Sequence, residues 1–157
     1  MMFTRPAQAV GTIDVAAGAA GIANGDGCSL VEAIINANDD AATHPECAAG
    51  SGADTINLFG GNTYSYTAPF GTNTALPNIN SSITIEAHGS TIERDAGSAT
   101  DFRILRVNES GSLTLKEATI SGGKSRNSGS TQQRGGGGIF NYNGAVTINN
   151  STISGNS

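Results

Sequence analysis

Near its end this chain writes one short sentence twice. Gly111-Ser112-Leu113-Thr114-Leu115 passes through Lys116-Glu117-Ala118 into Thr119-Ile120-Ser121-Gly122. A separation of 33 residues leads to Gly144-Ala145-Val146-Thr147-Ile148, which passes through Asn149-Asn150-Ser151 into Thr152-Ile153-Ser154-Gly155. A looser copy lies upstream: Ile83-Thr84-Ile85, a turn at His88-Gly89-Ser90, then Thr91-Ile92. Alternating β-branched residues, punctuated by Gly, Ser and Asn, signal strand, turn and strand. One such unit cannot bury its apolar face alone, but units repeated at this interval stack on one another. The pattern predicts an all-β chain wound as a parallel β-helix, a solenoid.

Composition agrees with that reading. Charged residues make up 13% of the 157, against about a quarter in ordinary globular domains. The 22 glycines disfavour helix and favour tight turns. The net charge of −5 comes without a basic cluster, so neither nucleic acid nor an anionic membrane surface has electrostatic support as a partner. No apolar run approaches the roughly 18 residues of a membrane span.

Two cysteines, Cys28 and Cys47, lie in the N-terminal third. They make a poor metal site by themselves, and neither His44 nor His88 stands at ligand-like spacing from them. A disulfide would close a loop of about 20 residues and stabilise the fold by about 3 kcal/mol on the chain-entropy model. It would also imply an oxidising compartment. The alternative is a pair of unlinked buried thiols.

The chain divides into three parts. Residues 1–9 end in Ala7-Gln8-Ala9, a small-x-small pattern like a signal-peptidase site, although no apolar h-region precedes it. They are expected to be a signal-peptide remnant, with a mature chain from near Val10, or else an exposed arm. Residues 10–54 form a cap. Gly11 to Val15 alternates as a strand, and Asn24-Gly25-Asp26-Gly27 is a turn. One helix follows, with Ser29 as N-cap and Glu32 three residues later as the partner in a capping box. Leu30, Ala33, Ile34 and Ala37 share one face, and Asn38-Asp39-Asp40 ends the helix. Laid across the first rung, such a helix covers an apolar cross-section and unpaired strand edges that would otherwise invite aggregation. Residues 55–157 form the rungs, with Gly122 to Gly138, carrying Lys124, Arg126 and Arg134, as a protruding loop.

Cys28-Ser29-Leu30-Val31-Glu32-Ala33-Ile34, then Ala37-Asn38 and Asp54-Thr55-Ile56, resembles the CSLREA-type N-terminal region of large bacterial secreted and cell-surface proteins. The resemblance covers roughly residues 10–90 and departs at Val31, where the family pattern has Arg. It implies that the solenoid is a right-handed parallel β-helix with one N-terminal capping α-helix. Gly136-Gly137-Gly138-Ile139 and Phe140-Asn141-Tyr142-Asn143 are similar to the Gly-Gly-x-Ile and Phe-x-x-Asn motifs of polymorphic outer-membrane proteins, another surface-exposed β-helix group.

Catalytic chemistry finds little footing. Glycoside hydrolysis needs two carboxyl groups aimed at one bond, yet no acid recurs at the repeat interval. Glu86, Glu93, Arg94 and Asp95 form a polar cluster on a rung that reads as a solvated turn. Asp101 lies near Arg103 and Arg106, whose alternating positions read as solvent-facing. Asn24 to Gly27 lacks the spaced carboxylates of a calcium loop. Asn141, Asn143, Asn150 and Asn156 read as turn and ladder residues. No catalytic, cofactor-binding or metal-binding residue is expected, and no cofactor.

The expectation is a non-enzymatic, extracellular structural or adhesive protein of the bacterial cell surface, secreted or surface-held. Self-association would occur by head-to-tail stacking into a filament or by strand donation from the N-terminal segment. A surface glycan or another cell-surface molecule is the other class of partner. The competing readings are a carbohydrate-active domain, lyase-like, hydrolase-like or carbohydrate-binding, and a passive spacer in a longer anchored protein.

Overall fold

A computed structural model describes residues 10–22, 25–126 and 135–157. The elements in order are β1 (Gly11–Asp14), α1 (Leu30–Asp39), β2 (Ala53–Asn57), β3 (Thr63–Tyr66), β4 (Ser82–Glu86) and β5 (Thr91–Arg94). They continue with β6 (Leu105–Val107), β7 (Ser112–Lys116), β8 (Thr119–Ser121), β9 (Ile139–Asn141), β10 (Ala145–Asn149) and β11 (Thr152–Ser154). The strands line up as β1-β2-β4-β7-β10 on one side, β3-β5-β8-β11 on a second and β6-β9 on a third. Every strand pair is parallel. The described residues therefore form a parallel β-solenoid of about three turns with a single short helix.

The alternation read from the sequence becomes columns of side chains. Ile13, Ile56, Ile85, Leu115 and Ile148 stack in register down the inside of the first sheet. Tyr64, Ile92, Ile120 and Ile153 do so down the second. On the outside, Thr12, Thr55, Thr84, Thr114 and Thr147 form one ladder, and Thr63, Thr91, Thr119 and Thr152 another. A β-branched hydroxyl suits the outer face of a pleated strand without adding charge. His88, Glu117 and Asn150 turn the chain between these two sheets with φ of 49°, 52° and 47°, a left-handed conformation that Asn tolerates best of the three.

Close stacking also explains one glycine. A Cβ on Gly111 would lie 2.2 Å from the Ile79 carbonyl oxygen, so the rung-to-rung approach leaves no room for a side chain there.

The third side departs from strict alternation. Phe102, Arg103, Ile104 and Leu105 are buried in succession, and regular strand begins only at Leu105. Arg103 is fully buried, which corrects the expectation of a solvent-facing side chain. Thr74 bridges it from the preceding rung, and its guanidinium carbon lies 4.5 Å from the Phe140 ring centroid. Burial first, and the neighbouring charge of Arg106 second, lower its pKa. Arg94 is also inward. It donates to the carbonyl oxygens of Ser98 (2.8 Å) and Thr100 (2.9 Å) and thereby ties down the 95–101 turn.

Residues 1–9, Asn24 and the 127–134 portion of the expected loop, with Arg134, lie outside the described residues.

Candidate functional site

At the first rung, α1 lies across the open cross-section with Leu30, Ala33, Ile34 and Ala37 fully buried. The capping box forms: Ser29 Oγ accepts from the Glu32 amide at 3.2 Å, and the Glu32 carboxylate accepts from the Ser29 amide at 3.0 Å. Cys28 and Cys47 are joined in a disulfide with their Cα atoms 4.7 Å apart. Asp40, at φ 50°, ends the helix in the left-handed conformation.

Two asparagines hold this cap together: Asn36, which the sequence reading passed over, and Asn38, which it read only as part of the helix end. Asn36 is fully buried. Its Nδ2 donates to the carbonyl oxygens of His44 and Ala48, each at 3.0 Å, while its Oδ1 accepts from the His44 amide at 2.8 Å. One amide thus organises the loop that the disulfide closes. Asn38 clamps the helix to the next rung, donating to Asn78 O and accepting from the Asn80 amide, both at 2.9 Å. The available signal was their type, since Asn is a poor residue for a helix interior unless its side chain has work elsewhere.

The first inner column holds a carboxyl group. Gly11, Asp54, Ile83, Leu113 and Val146 are in register, so Asp54 points inward where its successors carry hydrocarbon. It accepts from the Ser51 amide at 2.9 Å. Burial raises its pKa, the Ser51 hydrogen bond opposes that, and Asp40 adds to it. Gly11 makes space for it: a Cβ there would lie 1.9 Å from Asp54 Oδ1.

β10 and β11 continue the same columns. Ile148 is 44% exposed and Ile153 41%, whereas Leu115 and Ile120, their partners one rung below, are fully buried. The asparagines around this rung serve its turns. Asn143 and Asn150 have φ of 59° and 47°, and Asn141 exchanges two hydrogen bonds with Gly144. Asn156 bonds the Gly123 amide and the Ile120 carbonyl.

Apart from Asp40, whose charge reaches Asp54, the acids that the sequence grouped do not converge. Glu86 pairs with Lys116 of the next rung at 2.6 Å, apart from the inward Arg94 with which the sequence grouped it. Asp101 lies 3.6 Å from Arg94 and 3.8 Å from Lys124. Among the described residues, no three of His, Cys, Asp and Glu come together as a metal site. Among the described residues, no helix is long and apolar enough to cross a membrane.

Fold and cap define a parallel β-solenoid covered at its first rung by a disulfide-locked helix. No protein-family model, curated protein or solved structure matches the chain.

Proposed function

We propose that this is a non-enzymatic extracellular protein of the bacterial cell surface, structural or adhesive, that self-associates by stacking along the solenoid axis. The observation that carries the reading is the register of the stack: its apolar columns, from Ile13 to Ile148 and from Tyr64 to Ile153, repeat rung by rung above a disulfide-locked cap. A second copy of the chain carries compatible columns and strand edges able to template a further strand. Head-to-tail contact propagates as a filament; contact between two like faces closes as a dimer. The Cys28–Cys47 disulfide supports an oxidising, extracellular setting.

Sedimentation of the oxidised chain across a concentration series tests the reading. Association that rises with concentration and is lost in the Ile148→Glu, Ile153→Glu double variant is the expected result. A chain that stays monomeric at every concentration would sink it. Negative-stain electron microscopy of the associated fraction separates filaments from closed dimers.

A further inference from the structure

On the third side of the solenoid, where the end of α1, the crossing at residues 70–80 and β6 meet, lies an open cleft of about 520 Å³. That volume is in the range of small-ligand sites, roughly 300–1,000 Å³. Its lining is rich in amides: Asn73, Asn78 and Asn80 stand with Thr72 beside the ring of Phe70 and the guanidinium of Arg106. Among the described residues no carboxylate lines it, and Arg106 is its one ionisable side chain, on a chain whose net charge is −5.

The walls are held in place by a chain of hydrogen bonds. Asn38 fixes the backbone at Asn78 and Asn80, as described above. Asn108 Nδ2 donates to Asn80 Oδ1 at 2.7 Å, and Asn108 Oδ1 accepts from Arg106 Nε at 2.9 Å. The Arg106 guanidinium carbon lies 5.2 Å from the Tyr142 ring centroid and 5.7 Å from that of Phe140. Contact with aromatic rings and a bond at Nε together orient the guanidinium plane. Among the described residues, no hydrogen bond engages the Nδ2 groups of Asn73, Asn78 or Asn80. Phe70, 48% exposed, supplies an apolar surface at the rim.

Three chemical features follow for an occupant. Unengaged Nδ2 donors match hydroxyl groups, a guanidinium matches a carboxylate, and an exposed ring packs against a C–H face. The geometry points to a carboxylate-bearing sugar, a uronate unit of an acidic polysaccharide, as the ligand of this cleft. Inorganic phosphate would use Arg106 alone and leave the amides idle. The assignment does not depend on the assembly reading, because β10 and β11 contribute nothing to the cleft.

Calorimetric titration of the full chain tests it, with a panel of uronate trisaccharides (galacturonate, glucuronate and mannuronate), their neutral counterparts and inorganic phosphate. The expected result is that at least one uronate binds about tenfold or more tighter than its neutral counterpart, a difference of about 1.4 kcal/mol, and weakens with added salt. Asn73→Asp, which adds a carboxylate to the lining on a surface loop, and Arg106→Gln should each lower that affinity about tenfold. Circular dichroism checks that both variants fold, and Asn73→Asp keeps the test sharp if loss of Arg106 disturbs the third side. No heat from any uronate, equal affinity for the neutral sugars, binding of phosphate as tight as the best uronate, or affinities unchanged in Asn73→Asp would each overturn the assignment.

Discussion

Asp54 places a carboxyl group in a column that the next three rungs fill with Ile83, Leu113 and Val146. Its pKa is raised above the ordinary 3.8, chiefly by burial. The protonated form therefore suits the folded state better than the unfolded one. Its contribution to stability is fully present below 3.8 and is lost as pH rises through the raised value. Asp54→Asn keeps an acceptor for the Ser51 amide and removes the buried charge. Thermal unfolding across the acidic to neutral range should show the variant at least as stable as the parent at neutral pH, with a flatter profile over that window. A loss of more than about 1 kcal/mol at neutral pH would mean that the ionised carboxylate has a stabilising role the local geometry does not reveal. At this scale the sequence showed Asp54 beside a strand entry but not its inward direction. The facing Gly11, which makes the room, is 43 residues away in sequence, and nothing local connects them.

The elements were legible where local pattern and tertiary demand agree. The helix face, its capping box and the repeated strand pairs all follow from spacing that a reader can count, and each pair stacks in the register the repeats imply. The third side was not legible, because Phe102 to Leu105 is buried continuously and no period marks it. There Arg103 is sandwiched between rungs, a placement fixed by Thr74 and Phe140 from other turns. Two tests belong to the cap. Reduction of Cys28–Cys47, or its replacement by alanines, should lower stability by about 3 kcal/mol in chemical unfolding, given the loop it closes. Ser29→Ala should cost about 1 kcal/mol in the same measurement, through loss of the cap oxygen. A third belongs to the rungs: Gly111→Ala should lower the unfolding midpoint, since its methyl group would meet the Ile79 carbonyl. An unchanged midpoint would show that the rungs part more easily than their packing suggests.

As a whole molecule the protein is a stack with a direction. Its cap is a helix, a disulfide and a buried asparagine acting together, and its apolar columns run in register from rung to rung. The solenoid and the cap were readable because repetition makes architecture visible in one dimension. The lateral cleft was not, since its amides and Arg106 are contributed by α1, the 70–80 crossing and β6, which no motif links. Under the proposed self-association, stacking of copies would further bury Ile148 and Ile153, a gain of about 1 kcal/mol each, in addition to pairing two strand edges. Hydrogen–deuterium exchange of the full oxidised chain, measured at low and high concentration, asks directly whether copies stack in this way. The account predicts that amides of Ala145–Asn149 and Thr152–Ser154 slow markedly at high concentration while those of β4 and β5 do not change. Exchange in β10 and β11 that is fast and the same at both concentrations would contradict it.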